Sequence, residues 1–238
     1  MGMRLDSLKR DLQALADPQK AQVLAGFFKT GPGQYGQGDV FLGITAPRQR
    51  TVARKYRSLD LDCLAALLAS RIHEHRLTAL LILVGRYQKA AAGEKKSLFD
   101  FYLSHVEGVN NWDLVDLSAP NIVGDYLLSH LGRRGLLTRL ARSQSLWQRR
   151  IAMLATLPFI RSGRFEETFQ VAAMLLSDQH DLIHKAVGWM LREVGKRDQS
   201  AEEEFLKQHA ATMPRTMRRY AIERFPEGKR RAYLTMRA

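Results

Sequence analysis

The sequence predicts an all-α protein, and three observations support that prediction. Apolar residues recur at positions i, i+3, i+4 and i+7 in most segments, which is the spacing of an amphipathic helix. No stretch alternates between apolar and polar residues for long enough to indicate a strand. The connections between the periodic segments are short and carry residues that begin or end helices. With 45% hydrophobic and 26% charged residues, the 238-residue chain can bury a full core.

Capping residues fix the first helix starts. Asp17 is suited to an N-cap and Pro18 to the first helical position, which predicts a helix over 19–29. Thr45 and Pro47 open a basic helix that runs to Arg57 in the same way. The remaining helices are predicted, in order, over 60–70, 74–91, 95–106, around 112–117, and over 120–131, 146–160, 164–177, 182–196, 201–210 and 214–225.

The predicted helices repeat along the chain. A basic residue followed by an apolar run occurs at Arg76, Arg150, Lys185 and Arg219, in steps of 74, 35 and 34 residues. This period suits a helix pair per repeat, somewhat shorter than the roughly 40–47 residues of HEAT and armadillo repeats. Stacked pairs form a solenoid with one helix layer on its concave face. No linker interrupts the pattern, so we expect one HEAT-like repeat domain over residues 1–238, with a basic concave face.

The charge of the chain indicates a polyanionic partner. Lysine and arginine number 37 against 24 acidic residues, a formal net charge of +13. The excess lies mainly in residues 133–238, which hold 21 basic and 11 acidic residues, and 17 of these basic residues are arginines. Because the arginine fork suits phosphate oxygens, nucleic acid is the favoured partner. A solvated arginine-rich surface and a face for acidic lipid remain open.

Composition and motifs exclude several other classes of protein. A single cysteine, Cys63, cannot form an internal disulfide or a multi-cysteine metal site, and we expect it in the core. Gly31–Gly36 spells GxGxxG, but a predicted helix rather than a strand precedes it, which favours a loop. His180 and His184 lack the glutamate of a zinc-binding HExxH helix. We therefore expect neither cofactor nor metal. The N-terminus has no signal-peptide pattern and no apolar run approaches about 20 residues, which predicts a cytoplasmic, nucleoid-associated protein.

Three tryptophans accompany charged residues in the predicted helices. Trp112 and Asp116 lie one helical turn apart on one face, so the carboxylate stands beside an indole. Asp113 falls in the first turn, where the helix dipole favours a carboxylate for structural reasons. Trp189 shares a face with Lys185 and Arg192. Trp147 precedes Arg149 and Arg150, of which we expect at least one to be exposed. The alternative is that these tryptophans belong to the core.

These segments resemble the AlkD-like DNA alkylation repair family. The resemblance lies in Asn-Asn-Trp112-Asp-Leu-Val-Asp116, in Trp147-Gln-Arg-Arg150, in Lys185-Ala-Val-Gly-Trp189-Met-Leu-Arg192, and in the segments 33–39 and 41–47, and it covers roughly residues 18–225. It implies a HEAT-like solenoid that holds duplex DNA and acts as a monofunctional glycosylase on 3-methyladenine and 7-methylguanine. It also implies that the base stays stacked in the duplex while the enzyme works from the sugar side.

The resemblance assigns roles to four residues: Asp116 matches the catalytic aspartate, Trp112 and Trp189 the site tryptophans, and Arg150 the arginine that holds the DNA backbone. Phe27 stands where some members have tyrosine, and Asn111 where some have a second aromatic residue.

The chemistry agrees with these roles, because loss of a cationic base builds positive charge on the sugar that a carboxylate and π-faces can stabilise. The predicted DNA-binding residues are Lys29, Arg48, Arg50, Arg149, Lys185, Arg192, Arg218 and Arg219. We expect a monomer that binds duplex DNA containing alkylated purines, without a membrane. Two alternatives stay open, a non-catalytic DNA-binding scaffold and a protein-interaction adaptor.

Overall fold

The computed structural model describes residues 2–236, and these are helical almost throughout. No strand occurs among them, and Val40 and Ile72 form an isolated parallel bridge. The all-α prediction is therefore confirmed. Contacts group the chain into two compact units that divide after Ser118. Each unit is described separately below, and the expectation of one domain over residues 1–238 stays a prediction.

The first unit contains seven α-helices in its described residues. They are α1 (Gly2–Gln13), α2 (Pro18–Phe27), α3 (Ala46–Lys55), α4 (Leu61–Leu68), α5 (His73–Tyr87), α6 (Ala92–Ser104) and α7 (Trp112–Ser118). Asp17 caps α2 by accepting a hydrogen bond from the backbone N–H of Lys20 at 3.1 Å, as the sequence predicts. Asp60 caps α4 in the same way through Cys63.

Helix α5 lies at the centre of the first unit. It packs against α1, α3, α4, α6 and α7, and most of its side chains are buried. Leu80 and Leu83 are fully buried on it, and Cys63 of α4 is buried as predicted. One buried polar contact joins α6 to α7, where the hydroxyl groups of Tyr102 and Ser118 lie 3.0 Å apart. The core of the first unit thus fixes α7 against α5.

A buried carboxylate holds the chain segment before α3. Glu74 Oε1 accepts hydrogen bonds from the backbone N–H groups of Gly43 and Ile44, and its Oε2 accepts one from Leu42. Gly43 has φ of +86°, and a Cβ there would lie 2.1 Å from the carbonyl oxygen of Asp17. Only glycine fits this position, because the backbone of the N-cap of α2 passes directly against it.

The second unit begins with a π-helical segment, Ala119–Gly124, that contains Pro120. Its α-helices are α8 (Asp125–Ser129), α9 (Gly135–Ala141), α10 (Leu146–Leu154), α11 (Leu157–Arg161), α12 (Glu166–Met174), α13 (Asp181–Gly195), α14 (Gln199–His209), α15 (Arg215–Ala221) and α16 (Glu227–Thr235). Helix α13 is central and packs against α10, α11, α12, α14 and α15.

Three features differ from the sequence-based expectation. The helix predicted over 146–160 breaks after Leu154, and Pro158 lies in the first turn of α11. Helices α1, α9 and α16 are additional. The repeated basic residues do not share one exposed row, because Arg76 and Arg150 are buried while Arg219 is exposed. Among the described residues, no helix is both long and apolar enough to cross a bilayer.

Close helix packing in the second unit depends on Gly188. A Cβ at this position would lie 2.4 Å from the carbonyl oxygen of Met217 and 2.5 Å from Cβ of Tyr220 on α15. We expect Gly188→Ala to lower the free energy of unfolding by about 1–3 kcal/mol, since the two helices must separate. Gly228→Ala in α16 is the matched control, because a Cβ there meets nothing within 4 Å.

Urea denaturation of both variants tests this prediction. We expect Gly228→Ala to match the wild type or to gain up to about 1 kcal/mol, since alanine favours helix. Equal stability of the two alanine variants would contradict the close approach of α13 and α15.

Candidate functional site

Helix α7 carries the residue pair that the sequence singles out. Trp112 and Asp116 lie one turn apart on this helix, and both are half-buried. The backbone N–H of Trp112 donates to Oδ1 of Asn111 at 2.9 Å. Asn111 is fully buried, and its Nδ2 donates to Oδ2 of Asp39 at 3.2 Å. One side chain therefore joins the start of α7 to the loop that precedes α3.

A buried charge cluster lies directly behind this helix start. His73, at the beginning of α5, has its Nδ1 3.2 Å from Oδ2 of Asp39 and its Nε2 2.9 Å from Oδ2 of Asp113. Arg76 pairs with Oδ1 of Asp39 at 2.7 Å. The side chains of His73, Asp39 and Arg76 are at most 5% exposed, and that of Asp113 is 18% exposed. This four-residue group is called the His73 cluster below.

Burial and hydrogen bonding act in opposite directions on the cluster. Burial alone would lower the pKa of His73, but hydrogen bonds to Asp113 and Asp39 outweigh it and raise the pKa above 6.5. Burial alone would raise the pKa of Asp39, but the hydrogen bond from His73 and the charge of Arg76 lower it below 3.8. Both shifts favour the charged forms of His73 and Asp39.

Aromatic rings surround the cluster and reach Trp112. Phe41 stacks on His73 with ring centroids 4.6 Å apart, and Phe28 stacks on Trp112 at 5.2 Å. Phe28 also contacts both Phe41 and His73. Phe27 meets Trp112 edge to face at 5.9 Å and is 61% exposed. The indole is thus held from one side by a phenyl ring, and an exposed phenyl group stands at its edge.

An apolar cavity of about 410 Å³ is bounded in part by these rings and also reaches His73 and Asp113. Its walls are mainly Val23, Leu24, Phe27, Phe28, Phe41 and Leu77. Among the described residues, no group of three or more histidine, cysteine, aspartate or glutamate side chains could hold a metal ion.

The other candidate residues of the second unit lie on α10 and α13. Arg150 is buried and donates from NH1 to the carbonyl oxygen of Leu182 at 2.6 Å. Arg149 pairs with Asp178 through Nε at 2.6 Å. The two adjacent arginines thus point to different partners, and neither is fully exposed.

Trp189 is half-buried on α13, and its Nε1 donates to Oε1 of Glu193 at 3.1 Å. The two cations that share its face are bound to carboxylates, Lys185 to Asp181 at 2.6 Å and Arg192 to Glu223. These pairs lie near the surface, where ion pairs contribute little to stability and exchange readily with other anions.

Comparison with protein families decides the assignment. The family model for "DNA alkylation repair enzyme" matches residues 8–225, which is most of the chain. The chain belongs to this DNA alkylation repair family. Solved structures agree on the fold. A predicted DNA alkylation repair enzyme from Enterococcus faecalis superposes with a TM-score of 0.69 at 17% identity, over 89% of this chain and 97% of that one.

Two further structures are similar at the level of the fold. AlkD2 from Streptococcus mutans has a TM-score of 0.56 at 17% identity, covering 87% of this chain and 99% of that one. The protein smu.31 from Streptococcus mutans UA159 has a TM-score of 0.50 at 15% identity, with 98% of each chain covered. A comparison with curated proteins finds no match. The helical-repeat fold class expected for a DNA alkylation repair protein is confirmed.

The predicted DNA-binding residues of this family member differ in whether their side chains are exposed. Lys29, Arg48, Arg50 and Arg219 are exposed. Arg218 is buried and donates from NH1 to the carbonyl oxygen of Met236 at 2.8 Å. Arg218 would have to leave this acceptor to reach a phosphate group. The DNA-binding and catalytic assignments of all these residues stay predictions.

Sequence reasoning missed the His73 cluster of this repair-family protein. His73 is unremarkable in the sequence, and Asp39 is 34 positions and Asp113 40 positions away from it. The signal that was available is the pair of Asn111 and Asp113 on either side of Trp112, since polar residues at a helix start often bind a neighbouring segment.

The His73 cluster predicts that Asp39→Asn lowers the stability of the fold strongly and in a pH-dependent way. Removing the carboxylate leaves Arg76 and His73 buried with one charge uncompensated, and we expect a loss of about 3–5 kcal/mol in the free energy of unfolding at pH 7. Because the pKa of Asp39 is lowered on folding, its contribution is present above 3.8 and is lost as the pH falls through its folded-state pKa.

Chemical denaturation of the wild type and the variant between pH 7 and about 3 measures this difference. The difference in free energy of unfolding between the wild type and Asp39→Asn should become smaller as the pH falls. Asp62→Asn, which changes an exposed aspartate of α4, is the matched control and should change stability little at any pH. A gap that stays constant into acid would contradict the assigned charge state of Asp39.

Proposed function

We propose that this protein is a monofunctional DNA glycosylase, which releases purines made cationic by alkylation at N3 or N7 from duplex DNA. Its membership in the DNA alkylation repair family supports a role in the repair of alkylated DNA. The observation that carries the finer proposal is the pair on α7, where a half-buried carboxylate, Asp116, stands one turn from a half-buried indole, Trp112.

The pair suits the charge that develops during base release. The bond between C1′ of the sugar and the purine nitrogen breaks, and both bonding electrons leave with the purine, which becomes neutral. The sugar becomes oxocarbenium-like and positive, so a carboxylate and the electron-rich face of an indole lower its energy. A water molecule then adds to C1′, and Asp116 accepts its proton as general base. The base needs no protonation, because it departs from a cation.

The remaining candidate residues complete the proposal. Trp189 packs on the sugar–phosphate backbone, Arg150 binds the phosphate beside the lesion, and Arg149, Lys185, Arg192 and Arg218 bind further phosphates. Lys29, Arg48, Arg50 and Arg219 are exposed, which supports their role as phosphate ligands. Because Asp116 acts on the sugar, the reaction does not require a pocket that encloses the base. We propose that the purine is released without being flipped out of the duplex.

Replacement of one carboxylate tests the reaction. We expect Asp116→Asn to lower the single-turnover rate of purine release about 10²- to 10⁴-fold, since the amide carries no charge to stabilise the sugar and accepts no proton. The measurement is chromatography of purines freed from methylated duplex DNA. Binding to the same DNA should be retained.

The control for this measurement is Asp62→Asn, an exposed aspartate in α4 of the same unit. A wild-type protein that binds alkylated duplex DNA but frees no purine would instead favour a non-catalytic DNA-binding scaffold. Weak, lesion-independent binding together with no release would favour a protein-interaction adaptor.

The exposed cations predict the salt dependence of DNA binding. In a plot of log K against log salt concentration, we expect each lost phosphate contact to reduce the slope by about 0.9. The variant Arg48→Ala/Arg50→Ala removes two exposed arginines of α3 and is measured by fluorescence anisotropy with plain duplex DNA. Lys89→Ala is the control, because Lys89 is exposed and is not one of the proposed phosphate-binding residues. This variant should leave the slope unchanged. Equal slopes for the wild type and the double variant would contradict a contact between α3 and the phosphates of the DNA.

A further inference from the structure

The geometry around His73 favours a doubly protonated ring. Both of its ring nitrogens lie within 3.2 Å of carboxylate oxygens, Nδ1 beside Asp39 and Nε2 beside Asp113. A neutral imidazole donates from only one nitrogen, so the lone pair of the other would face a carboxylate. Only the imidazolium donates to both. The ring is 2% exposed, so bulk water has little access to it.

The groups that face this ring come from every element packed against it. Arg76 lies one turn further along α5 and pairs with Asp39, which comes from the loop before α3, while Asp113 belongs to α7. The rings of Phe28 and Phe41 contact the imidazole, and the side chains of Lys20 and Glu74 line the cavity that also reaches His73. The two carboxylates therefore balance the imidazolium and the guanidinium, and loss of one proton would leave a net negative charge in the interior.

The same contacts determine the direction of the start of α7. Asp113 lies in its first turn, and Oδ2 of Asp113 contacts His73, whereas its buried Oδ1 has no hydrogen-bond partner among residues 2–236. Asn111, just before the helix, binds Asp39 and accepts the backbone N–H of Trp112. Asp116 follows Asp113 by less than one turn. A displacement of the first turn of α7 would move Trp112 and Asp116, because both belong to the same short helix.

We propose that His73 is a positioning residue for base release, whose protonated ring holds the first turn of α7 so that Trp112 and Asp116 meet the sugar in the required geometry. This inference rests on the proposed glycosylase function. His73 itself touches no substrate in this scheme, and its effect passes through Asp113.

A positioning role differs from a structural one in its response to pH. Leu114 and Val115 anchor α7 in the core and are fully buried, so loss of the His73 proton should loosen the helix start without unfolding the unit. Because the pKa of His73 is raised on folding, its contribution is complete below 6.5 and is lost as the pH rises through the folded-state value. The rate of base release should fall over the same interval.

The experiment measures single-turnover release of 7-methylguanine from methylated duplex DNA between pH 6 and 9, corrected for spontaneous release. Wild-type protein is compared with His73→Gln, which can donate one hydrogen bond but carries no charge. We expect His73→Gln to be slower by about tenfold to hundredfold at pH 7, with its DNA affinity retained, and to lack the decrease at high pH.

A second variant covers the case in which His73→Gln does not fold. Asp113→Asn has nearly the same shape and removes one of the two carboxylates that stabilise the imidazolium. The decrease in rate should therefore begin at lower pH than in the wild type, a shift that a purely structural role would not produce.

His75→Gln is the matched control. His75 lies on the same helix and is buried, but its Nδ1 faces the hydroxyl of Ser70 at 3.0 Å rather than a carboxylate. Burial, with the charges of Lys9 and Arg76, lowers its pKa to about 4, so it stays neutral between pH 6 and 9. This variant should keep the wild-type pH profile.

Imidazole ¹⁵N chemical shifts of the wild-type protein give a readout that does not depend on activity. We expect His73 to show two protonated nitrogens at pH 7, and a neutral ring would overturn the inference. Purine release by His73→Gln at the wild-type rate, or a pH profile of Asp113→Asn identical to that of the wild type, would also overturn it. If neither the wild type nor Asp116→Asn releases purine, the glycosylase function itself fails.

Discussion

The buried ion pairs of His73 are the interaction on which the candidate site depends. They join three segments that are distant in the sequence, the loop with Asp39, the start of α5 and the start of α7. Each charge in this cluster would be costly in the core by itself, and each becomes tolerable because the opposite charge lies within hydrogen-bond distance. The cost of disrupting it is therefore large, and the position of α7 is correspondingly well defined.

A second buried carboxylate acts on the same loop through the backbone. Glu74, next to His73 on α5, binds the N–H groups of residues 42–44, while Asp39 in that loop binds His73 and Arg76. The first turn of α5 thus binds the loop at residue 39 and at residues 42–44, and the loop brings Phe41 against the imidazole. Because these contacts share neighbours, we expect their contributions to stability to be strongly non-additive.

The sequence predicts what is local and fails where contacts are distant. The helix start at Asp17 follows from its capping residues, the helix predicted over 60–70 begins at the observed cap Asp60, and the i, i+4 relation of Trp112 and Asp116 follows from helical spacing. The partnership of His73 with Asp39 and Asp113 depends on which helix faces pack, and no periodicity reports that. For the same reason Arg76 looks like the surface cation of a repeat, although in the fold it neutralises a buried aspartate. Periodicity identifies the face of a helix but not its neighbour.

The cluster also separates the roles of two carboxylates on one helix. Asp113 and Asp116 are three positions apart, yet the charge of Asp113 is balanced by His73 within the interior. Asp116 lies at a half-buried position of the same helix, one turn from Trp112. In the proposed reaction the two carboxylates therefore have different tasks, since Asp113 acts on the position of α7 and Asp116 acts on the charge of the sugar.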